Sequence, residues 1–148
     1  RELLQFIDPD KAVHVVKHDY TPKNSSKLDG KTQTTYDKKN WSSLMVFNNA
    51  HADCKNLTFS NIQTKTAMWM HQLEWTSPSN TGELPVEYNY LVGEYDDTDI
   101  TPKAIHYTNG GPWLDAYKDC KYANLWNEQK QWRIDHNNAQ TTPTMDDL

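Results

Sequence analysis

Lys103-Ala-Ile-His-Tyr-Thr-Asn-Gly-Gly-Pro-Trp113 is the stretch on which the reading of the fold turns. Its apolar start predicts a strand that delivers His106 to its end. The Asn-Gly-Gly-Pro turn follows at once, and a Trp then opens a long segment of helical character. Gly110 and Gly111 can adopt backbone angles closed to other residues and let a ligand come close to the main chain. An imidazole beside a bare backbone loop is an arrangement that can hold a metal together with a phosphate group.

Working outward, strand and helix signals alternate. Ala12–Lys17 is short and β-branched, as a buried strand should be. Trp41–Asn48 is a continuous apolar run and predicts a central strand ending at Asn48-Asn49. Those amides either contact a ligand beyond the strand end or turn the chain. Ser60 is placed to cap a helix running to about Trp75, with Ile62, Thr66, Trp69, Met70 and Leu73 as its core stripe. His71 and Gln72 lie on neighbouring faces of that helix. Leu84–Gly93 reads as an irregular strand or the wall of a pocket. Leu114–Arg133 has no Gly or Pro and predicts a helix packed back on the sheet through Tyr122, Leu125, Trp126, Gln129 and Trp132. Residues 1–134 thus read as a single domain and 135–148 as a polar tail that frays.

Composition narrows the function classes. The 148 residues suffice for a real core, and six Trp, eight Tyr and three Phe argue against disorder despite a hydrophobic share of 36%. A net charge of -5 argues against a nucleic-acid partner, although Lys17, Lys23, Lys27, Lys31, Lys38 and Lys39 crowd one segment. No run reaches the roughly 20 apolar residues of a membrane helix. Two cysteines, Cys54 and Cys120, make no disulfide scaffold and suggest a cytoplasmic chain. His51-Ala-Asp-Cys54 lacks the second pair of a structural zinc site. Asp96, Asp97 and Asp99 read as a solvated turn. Phosphate-binding loops, nucleophile elbows and zinc-protease motifs are all missing.

Four blocks in order resemble a known family: Trp41-Ser-Ser-Leu-Met-Val-Phe-Asn48, Met70-His-Gln-Leu73, Leu84-Pro-Val-Glu-Tyr-Asn89, and Lys103-Ala-Ile-His106 through Pro112-Trp113. They are similar to the C-terminal half of the retaining nucleotide-sugar glycosyltransferases related to glycogenin and the lipopolysaccharide galactosyltransferases. The resemblance implies an α/β chain with a partial glycosyltransferase A-type fold, a small mixed sheet flanked by helices. It implies transfer of a sugar from a nucleotide diphosphate donor to a saccharide acceptor, with Mn2+ or Mg2+ as cofactor. His106 would be a metal ligand. Asn48, Gly110, Gly111 and Trp113 would bind the donor, Asn89 the acceptor, and Gln72 would stabilise the transition state at the reacting sugar carbon.

The chain also departs from that pattern. Gly111 stands where a Lys is expected, and His71 replaces an Asp. The family's Asp-x-Asp metal motif would lie N-terminal to these blocks. The expectation is therefore the C-terminal part of a longer enzyme, incomplete alone, or a divergent member that has lost donor binding, with homo-oligomerisation as a way to cover exposed sheet. A non-catalytic carbohydrate-binding or interaction module is the alternative.

Overall fold

Val13-His14-Val15 forms strand β1, and all three residues are buried. A strand covered on both faces must be apolar throughout, and here only His14 breaks the run. In the computed structural model, which describes residues 2–22, 36–96 and 98–141 with side chains to 137, β1 is the centre of a three-stranded sheet. Strand β2 (Met45–Phe47) runs antiparallel to it, with Val13 opposite Phe47. Strand β3 (Thr81–Glu83) runs parallel on the other side, with His14 opposite Gly82. A second, parallel pair joins β4 (Tyr90–Leu91) to β5 (Ile105–His106). The chain is α/β, with small mixed sheets and helices.

Ala12, Val13, Val15, Leu73 and Trp75 form the core of the larger sheet, backed by Trp41, Met45, Cys54, Leu57 and Trp69. Leu84, Tyr88, Tyr90, Leu91 and Val92 are buried along the second sheet. Lys103 ties its start to the N-terminal segment through Glu2 and lies over the Tyr88 ring.

Three sequence expectations are corrected. The Trp41–Asn48 run is not a central strand: Trp41–Ser43 is a 3-10 turn, and β2 occupies an edge. The wholly buried β1 takes the centre instead.

The helix expected from Ser60 to Trp75 is two short ones. Thr58 accepts a hydrogen bond from Asn61 N (3.1 Å) to cap α1 (Phe59–Thr64), and Thr66 accepts from Trp69 N (3.1 Å) to cap α2 (Ala67–His71). Lys65 between them is extended, because a capping Thr draws the chain out of the helix before restarting it. Ile62, expected in the core, is 49% exposed.

Helix α3 (Ala123–Thr141) starts later than expected and continues through residues 135–141 of the segment read as a tail. It does not pack back along the sheet. Its Trp126 meets Trp113 at 5.6 Å, while Leu125, Trp132 and Ile134 are exposed. The apolar positions 126 and 134 lie away from the face shared by 125 and 132, so no continuous stripe exists to bury. Residues 142–148, Asp97, Lys23, Lys27 and Lys31 lie outside the described residues.

Helix α2 ends in a Schellman turn, with Glu74 N bonded to Trp69 O (3.0 Å) and Leu73 N to Met70 O (3.2 Å). The left-handed position of that turn is usually Gly, yet here it is Leu73 at φ 57. The left-handed backbone costs about 1–2 kcal/mol. Full burial of a Leu side chain returns about 1.5–3 kcal/mol, so packing wins. That turn fixes Gln72 as the last residue of the helix end.

Candidate functional site

His18, placed three residues beyond β1, is the hub of a polar cluster drawn from the segments after β1, β4 and β5 and before β2 and β4. Its Nε2 accepts from the Asn89 amide (3.0 Å), and the same amide nitrogen donates to Ser43 Oγ (2.7 Å). The two N–H groups of Asn89 are thereby used, which makes Nε2 an acceptor and assigns the proton to Nδ1. Nδ1–H then donates to Tyr95 Oη at 2.9 Å. His18, Tyr20 and Tyr95 also meet ring to ring, with centroids 5.8–6.3 Å apart.

β4 and β5 supply the opposite wall. Asn109 donates to the buried Glu94 (3.1 Å). Gly93, at φ 89, leaves the room that the Asn109 amide fills. Asn40 bridges the two walls, donating to Tyr20 Oη (2.6 Å) and Thr108 Oγ1 (3.1 Å).

His106 is the last residue of β5. Its carbonyl accepts from Val92 N and Thr108 N (both 3.0 Å). Its Nδ1 is buried with no hydrogen-bond partner among the described residues. Such atoms are rare in folded proteins and are commonly completed by a water, an ion or a ligand.

Electrostatics keep both imidazoles neutral. Burial pushes His106 below the ordinary histidine range. Burial, helped by the nearby His106, pushes His18 down to about 4. Burial and the neighbouring Glu94 and Tyr95 hold the Tyr20 hydroxyl above its usual range, so it stays protonated. Because the unfolded chain binds a proton on His18 below about pH 6.5 and the folded chain does not until about pH 4, stability falls as pH drops through that window. The urea midpoint is expected to decline from pH 7 to pH 4.5, with a shallower slope in His18→Gln. A ring resonance of His18 titrating near pH 6.5 in the folded state would contradict this account.

The other expected residues distribute unevenly. Asn89 and His106 join the cluster. Gln72 sits at the end of α2, its carbonyl accepting from Lys38 Nζ (2.8 Å). Gly111 is packed against the Trp113 ring, which fills the space a Cβ would need, and Trp113 in turn leans on Tyr107 (5.9 Å). Gly110 is buried at φ 132. Asn48 lies at the opposite end of β1. It donates to Pro9 O (2.8 Å) and accepts from Ala50 N (3.1 Å). There it lines a cavity of about 250 Å3 with Ile7, Pro9, His14, Val46 and Phe47. The structure does not bring Asn48 to His106.

Elsewhere, His51 Nδ1 accepts from Asp53 N as a helix cap (3.1 Å). The Asp53 carboxylate binds Asn80 (2.9 Å) and Thr76 (2.6 Å), contacts that hold it below the usual carboxylate range. Asp96 accepts from Gly93 N (2.9 Å), closing the turn after β4.

His18, Tyr20, Asn40, Ser43, Glu94, Tyr95, Thr108 and Asn109 were not legible as site residues. One signal was available for His18 and Tyr20. Lys17-His-Asp-Tyr20 directly follows an apolar strand, and strand ends are where α/β sheets place ligand contacts.

No family model matches the chain, and no solved structure matches it. Among curated proteins it is similar to Protein CDI of Arabidopsis thaliana. The two are 43% identical over 138 residues, covering 89% of this chain and 53% of that protein. The chain thus spans about half the length of that relative. Among the described residues, no helix is long and apolar enough to cross a membrane.

Proposed function

We propose that this chain is part of a nucleotide-sugar-dependent glycosyltransferase of A-type fold, one that transfers a sugar from a nucleotide diphosphate to a saccharide. The observation that carries the reading is the buried, unpartnered Nδ1 of His106 at the end of β5. It belongs to the residue for which the sequence resemblance implies a metal ligand. A neutral imidazole is the form that ligates, and burial keeps it neutral.

The fit to a divalent cation is that of one ligand. Among the described residues no three His, Cys, Asp or Glu side chains converge on a metal position. Donor phosphate oxygens and groups outside these residues would complete the shell. Manganese or magnesium bound there would supply Lewis acidity toward the departing nucleotide diphosphate.

The chain's own contribution is positional. Gly110 and Gly111 are buried, with the Trp113 ring over the latter, so the diphosphate would reach this backbone only with that ring swung aside. The Gln72 amide, held at the end of α2, would face positive charge growing at the sugar carbon with its carbonyl oxygen. With its N–H groups used by His18 and Ser43, Asn89 would meet an acceptor hydroxyl through its own carbonyl oxygen. Asn48 would contact the donor only from the far edge of the sheet.

Calorimetry on the full-length protein tests this. Uridine, guanosine or adenosine diphosphate should bind with manganese and at least tenfold more weakly without it. Absence of metal-dependent binding for all three would sink the transferase reading. A sugar-binding module is the second reading, favoured by the exposed Trp113 beside Trp126. Metal-independent quenching of Trp fluorescence by oligosaccharides would point there.

A further inference from the structure

The segment from Lys38 to Ser43 touches, residue after residue, both halves of the proposed site. Lys38 Nζ donates to the Gln72 carbonyl at 2.8 Å. Asn40 donates to Tyr20 and Thr108 at 2.6 and 3.1 Å. Ser42 Oγ and His71 Nδ1 lie 2.9 Å apart. Ser43 Oγ accepts from Asn89 at 2.7 Å and donates to Asn40 O at 2.7 Å. These partners lie on α2, on the segment after β1, before β4 and after β5.

The backbone of this strap is itself unusual. Lys38 and Asn40 both occupy the left-handed region, at φ 60 and 61. Two non-glycine residues in that region within three positions persist only where surrounding contacts over-determine them, and such residues gather at functional sites. Asn suits the place twice over: it tolerates the left-handed conformation better than most residues, and it carries two N–H donors.

We propose that Asn40 is a positioning residue, the pin of a strap that sets Gln72 and the end of α2 in register with the His18–Asn89–Thr108 wall. The proposal rests on the transferase reading for its consequence in catalysis, but not for its geometry. Asn40 touches neither donor nor acceptor. It acts by holding Tyr20 and Thr108 together, while Lys38 and Ser42 hold Gln72 and His71 at the end of α2 and Ser43 holds Asn89.

Asn40→Gly separates the side chain from the backbone, since Gly accepts φ 61 without strain. In the full-length protein, amide exchange at Met70–Leu73 and at Thr108 is expected to quicken about tenfold in this variant, while exchange in β1 stays unchanged. Asn40→Asp retains the left-handed preference but brings no N–H donor, and it should quicken exchange at the same places. Unchanged exchange at both places in the glycine variant overturns the proposal, whatever the enzyme assay shows.

The catalytic arm is a double-mutant cycle. If Asn40 acts through the placement of Gln72, Asn40→Gly lowers kcat about tenfold in the wild type and hardly at all in Gln72→Ala. Equal losses in both backgrounds would mean that Asn40 serves the fold alone. Wild-type protein with no turnover and no nucleotide binding would fell the transferase reading, while the exchange result would still decide the strap.

Discussion

Gly82→Ala is expected to lower the stability of the fold by about 3 kcal/mol, the upper end for overpacking a core. Gly82 lies in β3 opposite His14 of β1, and the imidazole occupies the space an alanine Cβ would need. The ring lines the cavity beside Asn48, but moving into it would break its anchoring contact. It is 2% exposed, flanked by Val13 and Val15 with no exposure at all, and anchored by the hydrogen bond it accepts from Asp8 N at 2.9 Å. Either the β1–β3 ladder opens or the ring leaves its partner. Thermal unfolding should show a midpoint roughly 10 °C lower, given about 2–4 °C per kcal/mol for a chain of this size. Pairing Gly82→Ala with His14→Ala should cost less than the sum of the two single changes, because the collision is then removed. Strict additivity would show that the ring is not the obstacle.

His106→Ala should remove the metal dependence of nucleotide diphosphate binding in the full-length protein. The manganese-dependent gain in affinity should shrink at least tenfold, about 1.4 kcal/mol, and nucleotide binding without metal should change little. The physical reason is specific to this position. Nδ1 is buried and has no partner among the described residues, and burial favours the neutral ring that can ligate. The backbone of residue 106 is held by Val92 N and Thr108 N, so the truncation leaves β5 paired. A matched measurement on His18→Ala separates ligation from mere loss of an imidazole, since both His18 nitrogens already have partners within the protein. If both variants lose metal dependence equally, His106 has no special role as a ligand.

The strap between the two walls has an energetic logic that neither sequence position reveals. Two left-handed residues cost on the order of 1–2 kcal/mol each. Asn40 returns two hydrogen bonds at about 0.5–1.5 kcal/mol apiece, and Lys38 adds a charge-assisted bond to Gln72 O and a place over the Trp41 ring at 5.8 Å. The two sums are comparable. The strap is therefore held by its contacts rather than by local preference, as expected of a segment whose work is to connect.

Local pattern in the sequence was enough for several features. The β-branched run Ala12–Lys17 reads as a buried strand because branched side chains suit a pleated, covered surface, and Val13–Val15 is one. Leu84–Gly93 read as irregular strand or pocket wall, and it folds as a 3-10 turn at Val86–Asn89 leading into β4, with Asn89 buried in the cluster. His106 was legible as a strand end beside a glycine turn. Each of these depends on neighbours within a few residues.

Tertiary structure alone decided the rest. Leu73 adopts a glycine conformation because the core repays its side chain, a balance no local rule contains. The apolar residues around α3 were visible, but only the fold shows that Tyr122, just before the helix, meets Tyr90 of β4 at 5.5 Å while Leu125, Trp132 and Ile134 stay exposed. Asn48 read as an amide at a strand end and Asn89 as one inside an irregular strand, and only the fold puts them at opposite ends of β1. Hydrogen bonds in the His18–Tyr20–Asn40–Asn89–Thr108 cluster join residues 20 to 71 positions apart. A hydrogen bond across that separation is set by how the two sheets and their connecting segments come together, and sequence spacing carries no trace of it.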